Sequence, residues 1–75
     1  MTKRGAENMK TAIINYLREN PNQRRRVIAS AVGVWQADAE FLCAMYELRE
    51  AGAIEERFHQ DMANMIAYYT YSIKE

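Results

Sequence analysis

Gly52 divides this chain into two parts whose apolar residues follow different patterns. Ahead of it, apolar residues recur every three or four positions, which is the period of amphipathic helices. Beyond it, residues 65–73 are rich in tyrosine and isoleucine, which favour β-strands. Helices followed in sequence by strands predict an α+β domain, and 75 residues are enough for one. We therefore expect three helices followed by a C-terminal β-hairpin.

Proline and glycine residues divide the first part into three predicted helices. The residue before a proline avoids the α region, so the first helix ends ahead of Pro21. Gly33 and Gly52 suit the left-handed conformation that follows a helix. The predicted segments are a flexible N-terminal arm at 1–8, a domain at 9–75, helix 1 from about Glu7 to Glu19, helix 2 from an N-cap near Asn22 to Gly33, and helix 3 from Gln36 or Asp38 to Gly52.

The last part of the chain predicts a hairpin, with a C-terminal helix as the alternative. The strands are expected at 53–58 and 65–73, joined by a polar turn at 59–64. Residues 62–69 include good helix formers, which keeps the helix open as an interpretation.

The composition argues against a membrane protein and against a secreted one. The longest uncharged runs, 27–37 and 62–73, are shorter than the roughly 20 apolar residues that cross a bilayer. No apolar stretch of a signal peptide follows Lys3 and Arg4. Cys43 is the only cysteine, so no disulfide forms within the chain. We expect a cytoplasmic protein in a reducing compartment.

A net charge of zero conceals a basic half and an acidic half. Residues 1–34 carry seven basic and two acidic side chains, whereas residues 35–75 carry three basic and eight acidic ones. Such a distribution steers a polyanion to one side of the molecule, or draws two copies together head to tail.

A short step leads from helix 3 through a glycine into the first strand; it consists of Leu48, Gly52, Ala53 and Ile54. Together with the opening segment 9–17 and the strand 67–73, this step resembles small bacterial winged helix-turn-helix regulators, including fimbrial-operon regulators. The resemblance covers residues 9–74 and implies a winged helix whose wing is the hairpin. It also implies a transcriptional regulator that binds double-stranded DNA, occupies an operator and places helix 3 in the major groove.

Helix 3 departs from that family in its length and its charge. The stretch from Gly33 to Gly52 is a few residues longer than the family's common spacing. Acidic residues stand where the family has basic and polar ones; they are Asp38, Glu40, Glu47 and Glu50. Because carboxylates repel phosphates, this helix indicates an alternative function. In that alternative, the domain is a protein-interaction module whose acidic third helix contacts a basic partner or the arginine-rich half of another copy.

The candidate DNA-binding residues are an arginine triplet, two residues at the start of helix 3 and two basic residues of the arm. The arginine triplet at the start of helix 2 opposes the helix dipole. These arginines either form a solvated charged turn or bind phosphates. Gln36 could pair with an adenine base. Trp35 could contact the DNA, but packing in the core is an alternative role for it. The set is Lys3, Arg4, Arg24, Arg25, Arg26, Trp35 and Gln36.

The tyrosines of the last strand suggest a homodimer as a further partner. There are three alternative roles for Tyr68, Tyr69 and Tyr71: filling the face of the hairpin, stacking on bases, or contacting a second chain. An uncharged strand at a sheet edge is a natural place for another copy to pair. Dimerisation is expected through this hairpin or through the charge-complementary halves.

The sequence does not predict an enzyme, a cofactor or a metal site. His59 and Cys43 are the strongest candidates for metal or nucleophilic chemistry, but a zinc site needs three or four ligands. The chain has no glycine-rich phosphate loop and no recognisable Ser/His/Asp arrangement. A domain this small seldom provides the concave pocket of an active site.

Overall fold

Three helices precede a two-stranded antiparallel hairpin in the computed structural model, which describes the backbone of residues 2–74 and the side chains of residues 8–74. The elements are α1 (Thr2–Glu19), α2 (Arg25–Ala31), α3 (Ala39–Glu50), β1 (Ile54–Asp61) and β2 (Ile66–Ile73). This α+β layout is the one predicted, and it is consistent with a winged helix. Within the described backbone, no helix is both long and apolar enough to cross a bilayer.

Helix α1 begins at Thr2, five positions before the predicted start. Residues 2–8, expected as an arm, form its first turns. Ala6, Glu7 and Met9 are good helix formers, and they outweigh the single Gly5. The side chains of residues 3 and 4 lie outside those described, so their predicted role in DNA binding stays a prediction.

The start of α2 differs from the prediction. Arg24, not Asn22, is the N-cap residue, and its side chain makes no capping hydrogen bond. Asn22 adopts a left-handed backbone, with φ of 59°. Its N–H donates to Ser72 Oγ, and its Oδ1 accepts from that hydroxyl, both at 2.9 Å. The asparagine therefore fastens the α1–α2 loop to β2 instead of capping α2.

The core lies where the three helices meet the base of the hairpin. Its fully buried large side chains are Ile13, Leu17, Ile28, Phe41 and Ile54. At the start of α3 the Asp38 carboxylate accepts from the Phe41 N–H at 3.0 Å, as an N-cap does. Capping of α3 at Asp38 was one of the two starts that the sequence predicted.

The hairpin is confirmed over the alternative of a C-terminal helix. Its register runs from Ile54 opposite Ile73 to Asp61 opposite Ile66, with residues 62–65 as the turn. At its base, Tyr71 exchanges backbone hydrogen bonds of 2.8 and 3.1 Å with Gln23. This bridge holds the residues just ahead of α2 against β2, and so sets where the arginines lie relative to the hairpin.

Candidate nucleic-acid interface

The arginine triplet lies exposed at the start of α2, directly after the residue bridged to the hairpin. Among the side chains that the structure describes, no carboxylate forms an ion pair with Arg24, Arg25 or Arg26. Cations at the N-terminal end of a helix oppose its dipole. The three charges are thus unneutralised and locally unfavourable, and an anion placed beside them would relieve both conditions.

Arg24 is held in place by the hairpin. Its guanidinium carbon lies 3.9 Å from the centre of the Tyr68 ring, a cation–π contact. Tyr68 also stacks on His59, its cross-strand partner, with ring centres 5.0 Å apart and planes 13° apart. The His59 Nε2 is 2.7 Å from the Thr70 hydroxyl. These contacts fix the direction of one arginine without neutralising it.

Two adjoining open grooves extend this basic region. The first, of about 310 Å³, is lined by Arg24, Arg25, Arg26, Gln36, Tyr68, Tyr69 and Tyr71. The second, of about 250 Å³, is lined by Arg26, Ser30, Val34, Trp35 and Gln36. They share Arg26 and Gln36, and no carboxylate lines either of them. We call the lining of these two grooves the arginine surface.

Trp35 is exposed, so the interpretation of this residue as part of the core is wrong. It retains 72% of its accessible surface. The neighbouring Val34 takes the inward position instead: it packs against the core, and its N–H donates to the Ala29 carbonyl at 2.9 Å. With Val34 turned inward, the indole lies in the second groove beside Arg26 and Gln36.

The three hairpin tyrosines have three different environments. Tyr68 is half-buried against Arg24, as described above. Tyr71 is buried, and its hydroxyl donates to Glu56 at 2.7 Å. Burial, reinforced by that carboxylate, raises the pKa of Tyr71 to about 12. Tyr69 is 49% exposed, with its ring 5.2 Å from that of Phe58. All three tyrosines line the arginine surface, and of the three only Tyr69 is exposed.

Most of the acidic residues of α3 are engaged within the protein. Asp38 caps the helix, Glu47 pairs with Lys10 of α1, and Glu50 lies 3.6 Å from Arg49. Among the described side chains, Glu40 alone of the four makes neither an ion pair nor a capping bond. These contacts offset part of the negative charge of this helix, although Arg49 is shared between Glu50 and Glu56.

Two carboxylates of α3, Glu40 and Glu47, lie away from the side of this helix that faces the hairpin. Leu42, Tyr46 and Arg49 follow helical spacing and line a groove of about 200 Å³ that includes Arg25. Glu40 and Glu47 are seven positions apart and share another side of the helix, because successive residues turn by about 100°. Phosphates beside Arg25 would meet the groove side of α3, where Glu56 also lines the groove and is bonded to Arg49 and Tyr71, and not Glu40 or Glu47.

The structure brings together five of the seven predicted binding residues, in the two grooves of the arginine surface. The other two, Lys3 and Arg4, have side chains outside those described. The sequence did not predict that Tyr68 and Tyr69 border the arginines. The tyrosine-rich strand was visible in the sequence, but nothing local shows that it lies beside α2.

No family model matches the chain, and no curated protein or solved structure matches it either.

Proposed function

We propose that this protein is a small DNA-binding regulator that holds phosphates with the arginine surface. The observation that carries the proposal is the meeting of three unneutralised arginines with grooves that no carboxylate lines. Phosphate contacts supply much of the affinity of proteins for DNA, and they come mainly from arginine and lysine. The resemblance of the sequence to bacterial winged-helix regulators supports the same function.

The mechanism requires no chemical step. Arg24, oriented by the Tyr68 ring, meets a phosphate without first losing conformational freedom. Arg25 and Arg26 would extend the contact along the DNA backbone, and Gln36, which lines both grooves, would pair with an adenine edge. Occupancy of the site excludes other proteins from it, which is how such a regulator would act.

The proposed contact differs from the usual one of the family in the element that dominates it. The start of α2 and the hairpin provide the cations, whereas α3 contributes Arg49, which is already paired with Glu56 at 3.3 Å. A protein-interaction function through an acidic α3 has less support, because Asp38, Glu47 and Glu50 are engaged within the protein.

The salt dependence of DNA binding tests the proposal. Replacing Arg24, Arg25 and Arg26 together with alanine should lower the slope of log affinity against log salt by about 2 to 3, since each phosphate contact contributes about 0.9. Fluorescence anisotropy with a labelled DNA duplex at several salt concentrations measures this slope.

A matched control removes the same charge from elsewhere on the surface. Arg18, Arg57 and Lys74 are exposed and lie outside the two grooves, so their replacement by alanine should change the slope by less than about 1. Equal effects of the two triple variants would refute the assignment of the surface. An absence of binding by the unaltered protein to the duplex even at low salt would refute the proposed binding to double-stranded DNA.

A further inference from the structure

Exposed aromatic rings stand on both sides of the arginines. On the hairpin side, Tyr69 is 49% and Phe58 56% exposed; on the α2–α3 side, Trp35 is 72% exposed. Tyr69 borders the groove that holds all three arginines, and Trp35 borders the adjoining one. Leaving large aromatic rings in water forgoes the free energy of burying them. Phosphate binding alone does not account for them.

We propose that this protein binds DNA at places where bases are unpaired, with Tyr69, Phe58 and Trp35 stacking on those bases. The inference rests on the proposed function for its phosphate contacts. In a duplex the faces of the bases are covered by their neighbours, and the grooves expose only base edges. An unpaired base offers a face, and single strands are held by aromatic rings along a positively charged groove.

The hairpin restrains the ring of Tyr69. Phe58 and Tyr69 are directly opposite each other in the register, so the hydrogen bonds of the ladder fix both backbones. Their ring planes are inclined at 55°, with the centres 5.2 Å apart, which supports the Tyr69 ring from the neighbouring strand. The ring is thus held in place before any ligand arrives, and little conformational entropy is lost on stacking.

The charges around these rings favour a polyanion over the other occupant that exposed aromatic rings suggest, a second copy of this chain. The grooves that Tyr69 and Trp35 border contain three arginines and no carboxylate. Two copies meeting through this surface would bring six like charges together, which is unfavourable. A nucleic-acid strand instead supplies phosphates for the arginines and bases for the rings.

Three DNA ligands of one sequence test the inference: a blunt duplex, the same duplex with a single-stranded extension, and the single strand. By fluorescence anisotropy we expect the extended duplex and the single strand to bind about tenfold or more tightly than the blunt duplex, the gain from stacking one or two bases. Tyr69→Leu and Phe58→Leu keep an apolar side chain but remove the ring. Each should abolish most of that preference while changing blunt-duplex affinity less than about twofold.

Ile66→Leu is the control, because Ile66 is 45% exposed on the same strand as Tyr69 but lies outside the arginine surface and outside the groove that holds Arg25. It should preserve the preference. Trp35 is the only tryptophan of the chain, so its fluorescence reports on stacking directly. The single strand should quench its emission more strongly than the blunt duplex does.

Equal affinity for blunt and extended duplexes, with no effect of Tyr69→Leu, would overturn this inference and leave the proposed function standing. Binding to none of the three ligands would overturn both. A dimer seen by sedimentation that Tyr69→Leu dissociates would also overturn the inference, because a second copy would then cover the ring.

Discussion

The two ends of the hairpin share one backbone ladder but have opposite environments. At the base, Ile54, Tyr71 and Ser72 are buried, and β2 is bonded to the α1–α2 loop. At the tip, Met62 and Met65 are 71% and 88% exposed. Since a two-stranded hairpin alone is marginally stable in water, the comparison shows that attachment at the base supplies the stability and leaves the tip free.

The same substitution at the two ends should give the largest contrast. Ile54 is 1% exposed and Ile66 is 45% exposed. We expect Ile54→Ala to lower the free energy of unfolding by about 3 kcal/mol, through lost burial and a cavity, and Ile66→Ala by less than about 0.5 kcal/mol. Urea unfolding measures both. Similar losses at the two positions would contradict the division into base and tip.

The burial of Tyr71, reinforced by its hydrogen bond to Glu56, should make the stability of the base dependent on pH. The pKa of Tyr71 is raised from 10.0 to about 12 in the folded protein. Its contribution is therefore complete below about pH 10 and is lost as the pH rises to about 12, at about 1.4 kcal/mol for each pH unit. Tyr71→Phe lacks this titration.

The comparison of wild type with Tyr71→Phe isolates that effect from other groups that titrate at high pH. At about pH 8 the variant should be less stable by about 1 kcal/mol, the value of a typical hydrogen bond. At about pH 11 the difference should shrink towards zero, because the wild type has lost most of its advantage. A difference that stays constant across urea unfolding at the two pH values would refute a raised pKa for Tyr71.

The smallest expected effect is confined to the tip. The Asp61 carboxylate accepts from the Asn64 side chain at 2.7 Å and from the backbone N–H groups of Ala63 and Asn64. These hydrogen bonds, that of the Asn64 side chain above all, lower the pKa of Asp61. The turn is therefore stabilised above the usual pKa of an aspartate, about 3.9, and loosens as the pH falls through the lowered value.

Nuclear magnetic resonance follows this local change. The amide signals of Ala63 and Asn64 should shift as acid protonates Asp61, while the amide of Tyr71 at the base should not follow that titration. Asp61→Ala should abolish the shift and leave the midpoint of thermal unfolding nearly unchanged, as for most exposed substitutions. Global unfolding that accompanies the titration would show that base and tip are coupled.

Local sequence patterns predicted the features of this fold that depend on neighbouring residues. The cap at Asp38, one of the two predicted starts, and the end of α3 shortly before Gly52, whose φ is 77°, follow from neighbouring residues alone. Asn22 was misjudged because its partner is Ser72, 50 positions away. Local sequence patterns do not predict a hydrogen bond to a residue that is distant in the sequence.

The same limit applies to the candidate site. The arginines and Gln36 were named as binding residues from their charge and hydrogen-bonding groups, and that role stays a prediction. Their meeting with Tyr68 and Tyr69 depends on the pairing of Gln23 with Tyr71, which no periodicity encodes. The exposure of Trp35 was missed for a related reason: Val34 and Trp35 are adjacent and both apolar, and the backbone of the turn decides which one faces inward.

The bridge between Gln23 and Tyr71 also determines when the arginine surface exists during folding. The helices and the hairpin are held by contacts between residues close in sequence. The contact between Gln23 and Tyr71 instead closes a long loop, which costs conformational entropy. Until it closes, Arg24 and Tyr68 belong to separate parts of the chain. A chain with every helix in place but this bridge open would therefore lack the arginine surface, because Arg24 and Tyr68 would not be held together.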